Sequence, residues 1–92
     1  MIFANHHNLT ASGTHALHSG KAHLCRIAFN NPVTGVATIY DSEEASGTKI
    51  GAVTTVANQT PFLLEYSCLC NNGLTVSLSV DMDVTVVCMD AP

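Results

Sequence analysis

Residues 74–80 read Leu, Thr, Val, Ser, Leu, Ser, Val, apolar at every even position and hydroxylic at every odd one. Successive side chains of an extended strand point to opposite faces, so this alternation marks a strand with one buried and one wet face. No window of a dozen residues shows a 3.6-residue apolar period with capping residues, and almost no helix is expected. The rest of the chain repeats the strand signal in short pieces. Residues 62–70 place Phe62, Leu64, Tyr66, Cys68 and Cys70 on one face against Glu65 and Ser67, and residues 84–89 form a more evenly apolar strand after the break at Asp81 and Asp83. Upstream, residues 24–29 put Cys25, Ile27 and Phe29 on a common face. Residues 36–40 are β-branched and aromatic, residues 49–56 place Ile50, Ala52 and Val56 together, and residues 14–18 add a further short strand.

Turn chemistry divides these runs. Asn71, Asn72 and Gly73 predict a tight hairpin, because Asn-Gly supplies the two positive-φ residues that a primed turn needs. Ser19, Gly20 and Lys21 predict a second turn, and Asn30, Asn31 and Pro32 end another strand by removing a ladder donor. A polar loop covers residues 41–47. Six or seven short strands with turn signals every 8 to 12 residues make a small antiparallel sandwich or barrel. Residues 1–10, rich in asparagine and histidine, are expected to form an extended N-terminal arm, and residues 11–92 a single β domain. In that reading Ile2, Phe3 and Leu9 have nothing nearby to bury them and would order on a neighbouring subunit.

Composition narrows the function. The 92 residues carry three cations, Lys21, Arg26 and Lys49, against seven carboxylates, a net charge of −4, and only 11% of residues are charged. Nucleic-acid affinity comes largely from phosphate neutralisation, so no nucleic-acid partner is expected. No apolar run approaches the roughly 20 residues that span a bilayer as a helix, and no membrane partner is expected. Met1, Ile2, Phe3 and Ala4 pass directly into Asn5, His6, His7 and Asn8, unlike a secretory signal. The expected setting is therefore reducing, with Cys25, Cys68, Cys70 and Cys88 as free, small buried hydrophobes. A local Cys68–Cys70 bridge is disfavoured, because an extended i, i+2 pair holds its Cα atoms near the limit of disulfide reach.

All five histidines precede residue 24. Among them His15, His18 and His23, with Cys25, are the candidate metal ligands, since imidazole and thiolate suit zinc and His23 and Cys25 would share a strand face. Their spacing is unlike the paired ligands of a zinc knuckle, so the expectation is polar residues on an arm and first hairpin, with no metal and no cofactor. Asp41, Glu43 and Glu44 crowd one loop but lack the EF-hand pattern. No nucleophile elbow, phosphate loop or ordered serine, histidine and acid set is present, and no enzymatic activity is expected.

The segments LCRIAFNN at 24–31, ATIYD at 37–41, ASGTKI at 45–50, NGLTV at 72–76 and DVTVV at 83–87, in this order, resemble the small virion proteins of tailed bacteriophages. The resemblance covers residues 20 to 88. It implies a β-sandwich or jelly-roll-like fold and the role of a capsid decoration, or cement, protein. Such a protein is often a homotrimer that clamps neighbouring major capsid protein subunits on the phage head surface. It offers no catalytic residues. Some relatives of this kind sit in the tail or fibres instead, where a carbohydrate- or receptor-binding module is the alternative. Such sites present aromatic rings for sugars to stack on, and here Tyr40 and Tyr66 are the only tyrosines and there is no tryptophan. The richness in histidine and cysteine departs from the family pattern.

Overall fold

A computed structural model describes residues 4–91. Eight strands follow one another: β1 (Asn5–Leu9), β2 (Gly13–Ser19), β3 (Ala22–Asn31), β4 (Gly35–Asp41), β5 (Thr48–Thr55), β6 (Phe62–Cys70), β7 (Gly73–Leu78) and β8 (Asp83–Asp90). There is no helix among the described residues. The strands form two four-stranded antiparallel sheets, ordered β1-β8-β3-β6 and β2-β7-β4-β5. The pairs β1·β8, β2·β7, β3·β6 and β4·β5 nest like one long hairpin rolled upon itself, and β3·β8 and β4·β7 close the roll. This is jelly-roll connectivity, two Greek keys in a sandwich, and the expected all-β, jelly-roll-like sandwich is the fold observed.

The core lies between the sheets. Leu24, Ile27, Phe29, Val84 and Val86 point in from the first sheet, and Ile39, Leu74, Val76 and Leu78 from the second, all at most 2% exposed. The alternation of residues 74–78 thus maps onto the interior as expected. Its hydroxyl face is drier than expected. Thr75 is fully buried, because the β4–β5 loop folds over the second sheet and the Thr75 hydroxyl donates to Ser42 O at 2.8 Å.

Several sequence expectations need correction. The turn at 71–73 is not a hairpin, since β6 lies in the first sheet and β7 in the second, and the chain crosses between layers there. Neither Asn71 nor Asn72 takes a positive φ. Their N–H groups instead donate to the Asp41 carboxylate at 3.1 and 2.8 Å. Gly73 is needed for space and conformation: its φ is +151° and a Cβ would stand 2.9 Å from His18 O. The turn at 19–21 also joins different sheets, so β4–β5 is the only sequence-adjacent antiparallel pair among the described strands. On β5 the inward residues are Gly51, Val53 and Thr55, paired with Ile39, Ala37 and Gly35, while Ala52 and Val56 face solvent. A bulge between Ile39 and Tyr40 sets this face, and alternation counted from Ile50 crosses it.

Candidate interaction surface

The first sheet packs one face on the core and turns the other outward. Three rows of paired residues cross that outer face. Met89, His23 and Leu69 form one, Val87, Arg26 and Glu65 the next, and Thr85, Ala28 and Leu63 the third. Leu63 and Leu69 are 51% and 52% exposed, and with Val56 they are the large apolar residues most open to solvent among the described residues. The charges here are few and locally matched, with Arg26 Nε donating to Glu65 at 3.0 Å between the two leucine rows. At the far end a polar ladder ties three strands together. Asn8 Nδ2 and Asn30 Nδ2 donate to the Asp83 carboxylate at 2.7 and 3.1 Å and to Thr85 Oγ1 at 3.2 and 3.0 Å. Hydrogen bonds from Asn8 and then Asn30 favour the charged carboxylate and hold Asp83 below the usual aspartate range.

A bulge explains where Cys25 sits. Between Leu24 and Arg26 the register of β3 slips against both β6 and β8, and Tyr66 and Ser67 oppose the single residue Cys25. Ser67 takes φ +47° at this point. The slip separates Cys25 from Ile27 and Phe29, which the sequence had placed on its face: both are in the core cluster and Cys25 is not. Cys25 Sγ lies 3.5 Å from His23 Nδ1. All four cysteines are free. Burial first, then the neighbouring Cys68 and Asp41, pushes the Cys70 thiol up to about 12, and burial likewise raises Cys88. Both are held as neutral thiols.

The candidate metal residues do not converge. His15 and His18 lie on β2 in the second sheet, and His23 and Cys25 on β3 in the first. His15 Nε2 donates to Ala11 O at 2.7 Å, and His18 Nε2 bonds the Asp90 carboxylate at 2.6 Å, joining the two sheets at one end. Among the described residues no three His, Cys, Asp or Glu side chains gather as a metal site.

The expected N-terminal arm also changes character. Residues 5–9 form β1, paired with β8 from Asn5↔Cys88 to Leu9↔Val84, and Leu9 is in the core at 6% exposure. Leu9 is therefore not a partner-binding arm residue; its partner is its own sheet, because the rolled topology leaves the outer edge of β8 open for it. Ile2 and Phe3, the other expected arm contacts, lie outside the described residues. What sequence reading missed is the apolar outer face. Leu63 and Leu69 were visible as odd-numbered apolar residues in an even-faced strand, which is the signal of a strand apolar on both sides.

No family model matches the chain, and none of the curated proteins matches it. Among solved structures the fold is similar to one reported as "Bacillus endospore appendages form a novel family of disulfide-linked pili". The TM-score is 0.56 with 10% identity, over 97% of this chain and 82% of that one. The likeness extends over the whole sandwich and is one of fold.

Proposed function

We propose that this chain is a structural subunit whose work is packing: a decoration protein that binds the outer surface of an icosahedral phage head and stabilises contacts between major capsid subunits. The observation that carries the reading is the outer face of the first sheet, where Leu63, Leu69, Val87 and Met89 surround one internally matched ion pair. Exposed leucines flanking an internally matched ion pair suit an interaction site, and a weakly charged surface keeps repulsion between close-packed copies small. A subunit of this kind adds stability to a shell by mass action and needs no chemistry of its own. The resemblance of residues 20 to 88 to small phage virion proteins supports a phage head as the shell, and the jelly-roll fold suits the role.

Quantitative mass spectrometry of purified virions tests this reading. Copy numbers comparable with the major capsid protein are expected; a dozen copies or fewer would place the chain at a vertex or tail and overturn it. A second reading is favoured by the fold likeness to a pilus subunit: the chain polymerises with itself into a filament. Electron microscopy of the purified protein separates the two, since regular fibres without any shell support the filament and discrete particles that decorate empty heads support the cement role.

A further inference from the structure

The four sheet edges of the sandwich are β1, β6, β2 and β5. An edge strand presents a row of unpaired N–H and C=O groups, and proteins blunt such edges with short strands, lysine, proline or bulges. All four are interrupted or short, and β6 itself steps irregularly at Tyr66 and Ser67, but β6 is the longest of them. β1 is only five residues long, β2 is broken by a bulge between Ala16 and His18, and β5 carries Lys49 and is bulged against Tyr40. β6 is nine residues of Phe, Leu, Leu, Glu, Tyr, Ser, Cys, Leu and Cys, without lysine or proline. Its single charge, Glu65, is already bonded to Arg26 of its own sheet. Nothing pairs with the outer edge of β6 among the described residues.

The sequence of that edge is matched to itself. Taken antiparallel about a twofold axis at Tyr66, position 63 faces 69 of the other copy, 64 faces 68, and 65 faces 67. The two exposed leucines, three residues to either side of the axis, then meet as two symmetric Leu63–Leu69 pairs on the outer face. Leu64 and Cys68, both half-buried beside the core, meet on the inner face, with Tyr66 against Tyr66 on the axis. Glu65 faces Ser67, so no like charges oppose one another. The irregular step at Tyr66 and Ser67 falls on the axis, which leaves residues 62–64 and 68–70 as the arms that pair. A self-complementary patch of this kind is what a twofold interface requires.

We propose that β6 is a docking edge for a second copy of this chain, joining two four-stranded sheets into one continuous eight-stranded sheet with Leu63 and Leu69 as its cross-strand contacts. The expected trimer of the decoration proteins is a different arrangement, because an antiparallel β6 pair closes with two copies. The inference concerns the edge itself and stands or falls separately from the virion copy number.

Sedimentation velocity and light scattering of the full chain test it. The wild type is expected to form a concentration-dependent dimer. Leu63→Lys and Leu69→Glu each strike both symmetric contacts and should weaken the dimer by about ten-fold or more, equivalent to about 1.4 kcal/mol. Both side chains are exposed, so circular dichroism and thermal melting of the monomer should be unchanged. Combining Leu63→Lys and Leu69→Glu in one chain places Lys opposite Glu in the partner twice, and should restore dimer to within a few-fold of wild type. A wild type that stays monomeric at its highest soluble concentration overturns the proposal. So does any oligomer that the single variants leave intact, or a double variant no better than the singles.

Discussion

β7 and β6 are both strands of strict two-residue period, yet they use it in opposite ways. β7 lies inside its sheet between β2 and β4, and its Leu74, Val76 and Leu78 are sealed against the core while even its hydroxyl face is half covered. β6 lies at the edge of the other sheet, with half-buried residues facing the core and two leucines half-exposed on the other side. Period fixes which residues share a face. What stacks on a face decides whether it is covered: the β4–β5 loop lies over Thr75 of β7, while Leu63 and Leu69 of β6 stand open.

The largest expected effect breaks that contrast directly. Leu78→Asp places an unpaired charge in the core, where its cost exceeds the few kcal/mol that hold a domain of this size, and the variant should be unfolded by circular dichroism. Leu69→Asp on β6 should fold and melt within roughly 0.5 kcal/mol of wild type, as exposed substitutions do. If both variants fold normally, the inward face of β7 is not the core.

The next effect concerns the N-terminal strand. Leu9→Ala should cost about 2 kcal/mol in urea unfolding, the low end for a buried leucine truncation because the site lies on an edge strand. Deleting residues 1–10 should cost more, since it strips β1 from β8. An unchanged unfolding midpoint for either would mean that β1 contributes nothing to the sandwich.

The thiols give a chemical version of the comparison. Cys70 and Cys88, raised by burial, should resist iodoacetamide at pH 8 in the native protein and react on denaturation, while half-buried Cys68 on β6 labels first. Peptide mass spectrometry after timed alkylation checks the order, and early labelling of Cys70 would contradict it.

The smallest effect is at the polar ladder. Because the Asp83 carboxyl is held low in the folded chain, the unfolded chain binds more protons as pH falls, and stability must fall with it. The contribution is complete above the unfolded aspartate value of about 3.9 and is lost as pH drops through the lower folded value. Asp83→Asn should therefore be less stable than wild type at pH 7, with the gap closing in acid. A gap that is constant from pH 7 to pH 2 would show that the carboxylate charge plays no part.

Much of the fold was legible in the residues themselves. Alternation at 74–78 and 62–70 located two strands and their faces, because side-chain direction in an extended chain is a local property. The turn chemistry was legible as breaks but not as connections. Asn71, Asn72 and Gly73 do end one strand and begin another, yet the neighbour that satisfies their N–H groups is Asp41, thirty residues away. Bulges hid the faces of Cys25 and of β5, since one extra residue reverses the parity of everything beyond it. The histidines are close in sequence but divided between two sheets, so among the described residues they do not gather in one place.

By itself, then, the sequence determined that this chain is a sandwich of short strands with a small charge and an apolar interior, because periodicity and turn residues act over a few bonds. The tertiary structure alone decided that β1 belongs to the sheet, that the turns at 19–21 and 71–73 cross between layers, and that β6 is an edge. Those choices depend on which strands meet across the roll, and pairing partners far apart in the chain leave no local mark on either residue.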